Sequence, residues 1–373
     1  MRMVQTLDFT EEDRHEGPAT AAGLTHWHED VRARAGAAAA CFVRDRCDEY
    51  VRGVPGADLV RDLLGSYVSG GKYIRPTFAY LGWLCGADES DAALRAAAST
   101  ELLHAFALIQ DDVMDRSPMR RARPTAHARL GDWHGSRGLA GDERHFGESA
   151  AILLSDLLLV WAERMMRESG LGADALARGW PVYDTLRGEL AVGQFADLVY
   201  DARQLPPMEA VLEMSRRKSG NYTVRRPLEL GAALAGCCQE VRDALGRYGS
   251  LVGEAFQLRD DLLGVFGQPS VTGKPNGDLR EHKATSVITL AAELAGPNAR
   301  AELARLYAQD LLGGSELARV RELIEGTGAV GRIEEMIDSR VRVACASLRG
   351  AGINGFAQAA LRDLAVRATS RAR

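Results

Sequence analysis

The chain has 373 residues, 46% of them hydrophobic and 26% charged, with a formal net charge of -5. That length and apolar content support one large folded core, and the negative balance argues against a general nucleic-acid binder. No apolar run reaches the roughly 18 residues that span a bilayer; the richest, Ala150 to Trp161, is broken by Ser155 and Asp156.

The N-terminal stretch MRMVQTLDFTEEDRHEG lacks the apolar centre of a signal peptide. It reads as a polar, mobile tail over 1–24, followed by a single domain over 25–373. Six cysteines, with no C-x-x-C pair and no zinc spacing, point to reduced thiols in a cytoplasmic protein. Alternating strand patterns are scarce, whereas apolar residues recur at three- and four-residue steps. This predicts helices over 92–114, 148–169, 180–200, 209–217, 227–235 and 240–265. More follow over 285–294, 299–311, 315–325, 330–348 and 354–369. Gly and Pro mark the gaps, including Gly70-Gly71, the stretch from Gly131 to Gly147, and that from Gly267 to Gly277. The fold class is all-α, with ten or more helices.

Two aspartate clusters stand out inside these helices: Asp111-Asp112-Val113-Met114-Asp115 and Asp260-Asp261-Leu262-Leu263-Gly264. Ionised carboxylates in apolar segments are expensive unless paired, and Asp111 and Asp112 fall late in their helix, where the macrodipole disfavours anions. A bound hard cation such as Mg²⁺ would stabilise them and leave positions open for a substrate phosphate. At about 100° per residue, His104, Leu108, Asp111 and Asp115 form one stripe, with Asp112 about 100° away. In the second helix Gln257 shares a broad face with Asp260 and Asp261.

Cationic elements complement the acids. Arg116, Arg120, Arg121, Arg123 and Arg129 fall within 14 residues that contain no acid. Arg216, Arg217, Lys218, Arg225 and Arg226 form a second basic patch, and Gly70-Gly71-Lys72-Tyr73-Ile74-Arg75-Pro76 a third, whose glycines let backbone approach an anion. Lys274 and Lys283 flank a Gly/Pro loop. Together these suggest two diphosphate sites, one pairing metals with Lys and Arg, the other using Lys, Arg and His without metal.

Eight ordered blocks resemble the trans-isoprenyl diphosphate synthases, or polyprenyl synthetases. They are GGKYIRP at 70–76, LLHAFALIQDDVMD at 102–115, RRARPT at 120–125, GESAAILLSDLLL at 147–159, GELAVGQFADL at 188–198, KSGNYT at 218–223, FQLRDDLLGVFG at 256–267 and GKPNGDLREHKAT at 273–285. The resemblance, closest in kind to geranylgeranyl diphosphate synthase, implies an antiparallel helical bundle around a central cavity, the isoprenoid synthase fold, and a homodimer. It implies that Asp111, Asp112, Asp115, Asp260 and Asp261 bind Mg²⁺, three per active site, with Mn²⁺ as a substitute. Arg120, Lys218, Ser219, Gln257, Lys274 and Lys283 would contact an allylic diphosphate (dimethylallyl, geranyl or farnesyl). Lys72, Arg75, His104 and Arg121 would hold isopentenyl diphosphate, and Gln194 and Asp197 would join the cavity wall. Asp111, Asp112, Lys218 and Asp260 would carry catalysis.

Four positions depart from the family's common pattern: Tyr73, Ala122, Ser219 and Gly264. The expected chemistry is ionisation of the allylic diphosphate, condensation, then proton loss to the released diphosphate. Phe106 and Ala107, five and four places before Asp111, would set product length, here geranylgeranyl diphosphate (C20). The alternatives are a farnesyl or longer-chain synthase, a class I terpene cyclase, and a non-catalytic subunit of a prenyl synthase.

Overall fold

A computed structural model describes residues 20–199, 206–267, 279, 283–309 and 312–370. The first helix, α1 (Ala21–Tyr50), begins where the Thr20 side chain accepts a hydrogen bond from the Gly23 N–H. It starts inside the segment expected to be a tail, and Leu24 is already buried. Its buried stripe is made largely of small residues: Val31, Ala35, Gly36, Ala39, Val43 and Cys47. That stripe lets neighbouring helices approach but gives little apolar contrast, so periodicity did not reveal the helix.

Three further helices follow: α2 (Ala57–Val68), α3 (Ile74–Leu84) and α4 (Asp91–Met114). Ser90 caps α4 by accepting from the Ala93 N–H. By length and composition α4 qualifies to cross a membrane, but 67% of its most apolar window is buried within the protein. A two-stranded hairpin, β1 (Met119–Arg120) and β2 (Arg123–Pro124), comes next. Its turn puts Arg121 and Ala122 at φ 49 and 58, the left-handed conformation a two-residue hairpin turn demands and that glycine adopts more readily.

The stretch from Gly131 to Gly147 is largely helical rather than a gap. Gly131 lies within α5 (Ala126–Ser136) and Gly147 within α6 (Glu143–Arg167). A side chain on Gly147 would overlap the His127 carbonyl oxygen, so this glycine permits a close helix crossing.

Then come α7 (Ala173–Val199), α8 (Met208–Ser215), a π-helical segment (Arg216–Arg225), α9 (Arg226–Ala235) and α10 (Gln239–Phe266). The C-terminal part holds α11 (Ser286–Leu294), α12 (Pro297–Tyr307), α13 (Gly314–Gly326), α14 (Ala329–Ser347) and α15 (Gly355–Thr369).

Two apolar cores flank the α3–α9 pair. Phe78, Leu81, Leu228 and Ala232 face the core shared with α10 to α15. Tyr80, Leu84, Leu230 and Leu234 face the core shared with α1, α2, α4, α6 and α7. Any side chain on Gly231 would overlap the Ala79 carbonyl oxygen, and one on Gly82 that of Leu228. Backbone contact at these glycines makes α3 and α9 one rigid partition on which the site is built.

Candidate active site

A cavity of about 630 Å³ lies between α4, α6, α7 and the π segment. Its lining combines the polar groups Asp111, Arg75, His104, Gln194, Lys218 and Ser219 with the apolar side chains Phe106, Ala107, Leu159, Leu190, Phe195 and Leu198. One cavity therefore offers both charged and apolar surface.

The end of α4 supplies the acids. Asp111 faces the cavity, and burial pushes its carboxyl above the usual range; Lys218 opposes the shift and Asp115 adds to it. Asp115 caps the helix, its N–H donating to the Asp111 carbonyl at 2.8 Å, and its carboxylate accepts from Lys283 Nζ at 2.9 Å. Two carboxylates one turn apart, with oxygen donors only, fit a hard divalent ion held by few protein ligands. Among the described residues, no three His, Cys, Asp or Glu side chains are preassembled as a metal site.

Asp112 does not join them. It is fully buried, and its Oδ2 accepts from Tyr67 Oη at 3.0 Å and Arg120 Nε at 2.7 Å. The 100° offset turns it away from the cavity, where it anchors Arg120.

Lys218 is placed by its neighbours. Its backbone rests on Gly193 of α7, where a Cβ would stand 2.5 Å from the Lys218 nitrogen. Its Nζ donates to Asp197 Oδ2 at 2.5 Å. The π segment has the wider turn often found at functional sites. It presents Lys218, Ser219 and Tyr222 to the cavity, while Thr223 Oγ1 accepts from Arg75 Nη2 at 2.9 Å. Gly220 and Gly253 bring α10 against this segment with no room for a side chain.

The second aspartate pair divides in the same way. Asp261 is buried and accepts from the Ser286 N–H at 2.9 Å, Ser286 Oγ at 2.6 Å and Gln257 Nε2 at 2.7 Å. Both oxygens are engaged, and the side chain ties α10 to the N-terminus of α11. Gln257, expected at the allylic diphosphate, donates its Nε2 to Asp261. Asp260 is half-buried on α10, outside the lining of the cavity. Lys274 lies outside the described residues.

Of the residues expected at isopentenyl diphosphate, Arg75 and His104 line the same cavity as Asp111, whereas Arg121 and Lys72 lie outside that lining. The Arg75 guanidinium stacks 4.2 Å from the Tyr222 ring centre. His104 Nδ1 is buried without a partner, and burial, with Arg75, Arg120 and Arg121, holds the imidazole well below its usual pKa. Arg121 stands at the exposed hairpin turn beside a smaller pocket of about 300 Å³ with Gly70 and Arg120. Lys72 is exposed on the adjoining loop.

One residue escaped the sequence reading. Glu101, one turn before His104, is buried, and burial pushes its carboxyl up to about 7 against the pull of Arg75 and Arg121. An acid within an otherwise apolar helix, three residues before a histidine, was the available signal.

The polyprenyl synthetase family model matches residues 57–324. The chain belongs to this family. A (2E,6E)-farnesyl diphosphate synthase of Mycobacterium tuberculosis is 34% identical over 294 residues, covering 76% of each chain. A geranylgeranyl diphosphate synthase of the same organism is 34% identical over 284 residues, 75% of each. The crystal structure of a geranylgeranyl pyrophosphate synthase from Corynebacterium glutamicum, complexed with isoprenyl diphosphate and magnesium, superposes with a TM-score of 0.86 at 36% identity. It covers 94% of this chain and 99% of that one. This polyprenyl synthetase is a trans-prenyltransferase of the short-chain isoprenyl diphosphate synthase type, all-α throughout its described core.

Proposed function

We propose that the enzyme condenses isopentenyl diphosphate with dimethylallyl, geranyl or farnesyl diphosphate and releases geranylgeranyl diphosphate. The observation that carries this reading is one cavity lined both by Asp111 and Lys218 and by Phe106 and Ala107. Asp111 and Asp115, with Asp260 of α10, would hold Mg²⁺. When bound, the metal neutralises charge growing on the departing diphosphate.

The chain's own cations act beside it. Lys218, oriented by Asp197, and Arg120, oriented by Asp112, donate to the allylic diphosphate as it leaves. Lys283 leaves Asp115 to join them. Lys72, Arg75 and Arg121 fix the second diphosphate, and His104 adds a neutral donor. Placing two substrates in one cavity supplies much of the acceleration, and the apolar walls keep water from the allylic cation. The Tyr222 hydroxyl is pushed upward by burial, so it remains protonated and the released diphosphate takes the proton.

Sizing the products formed from each primer tests the length. A common C20 end point supports the reading, and arrest at C15 overturns it. Phe106→Ala should lengthen the product by at least one isoprene unit; an unchanged product removes Phe106 as the stop.

The second subunit is supported by an apolar stripe on α6 and α7. Leu153, Val160, Val192, Phe195, Leu198 and Val199 are 53–68% exposed, and large apolar side chains exposed together mark interaction surfaces. Sedimentation should return a dimer, and a monomeric Phe195→Asp variant would locate its interface.

A further inference from the structure

The loop bearing Lys72 is held by an aromatic wedge. Tyr73 has φ 49 and ψ 37, a left-handed conformation that bulky side chains avoid and keep only where their surroundings impose it. Two contacts impose it here. The hydroxyl donates to the Val68 carbonyl at the end of α2, at 3.0 Å. The ring lies on Gly36 of α1, where a Cβ would stand 2.8 Å from Tyr73 Cζ and 2.9 Å from its hydroxyl oxygen.

Gly36 sits within a 30-residue helix, where glycine is a poor helix former and its backbone conformation does not require it. The ring explains the glycine. The rest of the loop is equally constrained. Gly70 is at φ 71, and a Cβ on Gly71 would stand 2.7 Å from Glu101 Oε1. Lys72 precedes the wedge, and Arg75 follows it on the first turn of α3.

We propose that Tyr73 and Gly36 form a lock that positions Lys72 and Arg75 for the diphosphate of the non-allylic substrate. Tyr73 is then a positioning residue, and Gly36, on a helix that contributes nothing to the cavity lining, determines affinity for isopentenyl diphosphate. This rests on the assignment of Lys72 and Arg75 to that substrate.

The test compares KM for isopentenyl diphosphate, KM for geranyl diphosphate, and kcat. Gly36→Ala should raise the first about fivefold to tenfold, by displacing the ring, and leave the second within twofold. Tyr73→Phe keeps the ring and loses only the hydroxyl, so it should raise the same KM twofold to threefold. In a Tyr73→Ser background the added methyl meets no ring, and Gly36→Ala should have no further effect on KM. Equal effects of Gly36→Ala with and without the ring would overturn the lock, as would an unchanged KM in both Gly36→Ala and Tyr73→Phe. Lys72→Ala is the control: an unchanged KM there would remove the underlying site assignment, and the proposal with it.

Discussion

The ends of α4 and α10 each present adjacent aspartates, and each pair divides its labour across the 100° between neighbouring helical positions. Asp111 faces the cavity while Asp112 turns inward to Tyr67 and Arg120. Asp261 turns inward to Ser286 and Gln257 and leaves Asp260 half-buried. The inward members differ in what holds them. Asp112 meets a cation; Asp261 meets the N-terminus of α11, where the helix dipole favours a carboxylate. Each Asp-Asp pair therefore holds one inward strut, and the proposed function assigns the ligand role to its neighbour.

Asp111→Asn should have the largest effect. Turnover should fall by at least about 10³-fold, because a group acting on developing charge is lost. The melting temperature should hold or rise, since burial opposes its charge. Asp261→Ala should do the reverse. Leaving the Ser286 N–H and Gln257 without their acceptor should remove about 3 kcal/mol of stability in urea titrations. The remaining folded enzyme should keep most of its turnover. Matching losses of activity in the two variants would erase the distinction between ligand and strut.

Glu101 sharpens the contrast, as a buried acid held among arginine fields rather than by backbone donors. Its folded pKa, about 7, lies above the ordinary 4.5, so the folded state binds the proton more tightly. The stability it contributes is complete below pH 4.5 and is lost as pH rises through 7. Glu101→Gln should flatten that slope and be more stable than the parent at pH 8, by on the order of 2–3 kcal/mol. A stability difference that stays the same at pH 5 and pH 8 would contradict the assignment. Asp112→Asn should have the smallest effect, about 1–2 kcal/mol of stability, together with a raised KM for the allylic diphosphate as Arg120 loosens.

Large apolar side chains made the helices readable. The segment 240–265 emerged as Gln239–Phe266, and 92–114 as Asp91–Met114. Small residues hid the others. In α1 alanines and Gly36 form the buried stripe, and in α5 Gly131 resembled a breaker because close approach and chain reversal both select glycine. The π segment was invisible as such, because RRKSGNYT carries no apolar period; its glycine contacts with α7 and α10 are tertiary facts.

At the site, the stripe joining His104 to Asp111 followed from helical geometry, and both residues line the cavity. The inward turn of Asp112 and Asp261 did not follow. Their partners Tyr67 and Ser286 lie 45 and 25 residues away, and no local pattern brings them together.

On the proposed function, prenyl transfer occurs in the cavity lined by Asp111. Purified enzyme should be incubated with labelled isopentenyl diphosphate, geranyl diphosphate and Mg²⁺, beside its Asp111→Asn variant, and the prenyl diphosphates sized. Longer-chain diphosphate should form only with isopentenyl diphosphate present and should nearly disappear in the variant. Product formed from geranyl diphosphate alone, or undiminished product from Asp111→Asn, would contradict the proposed function.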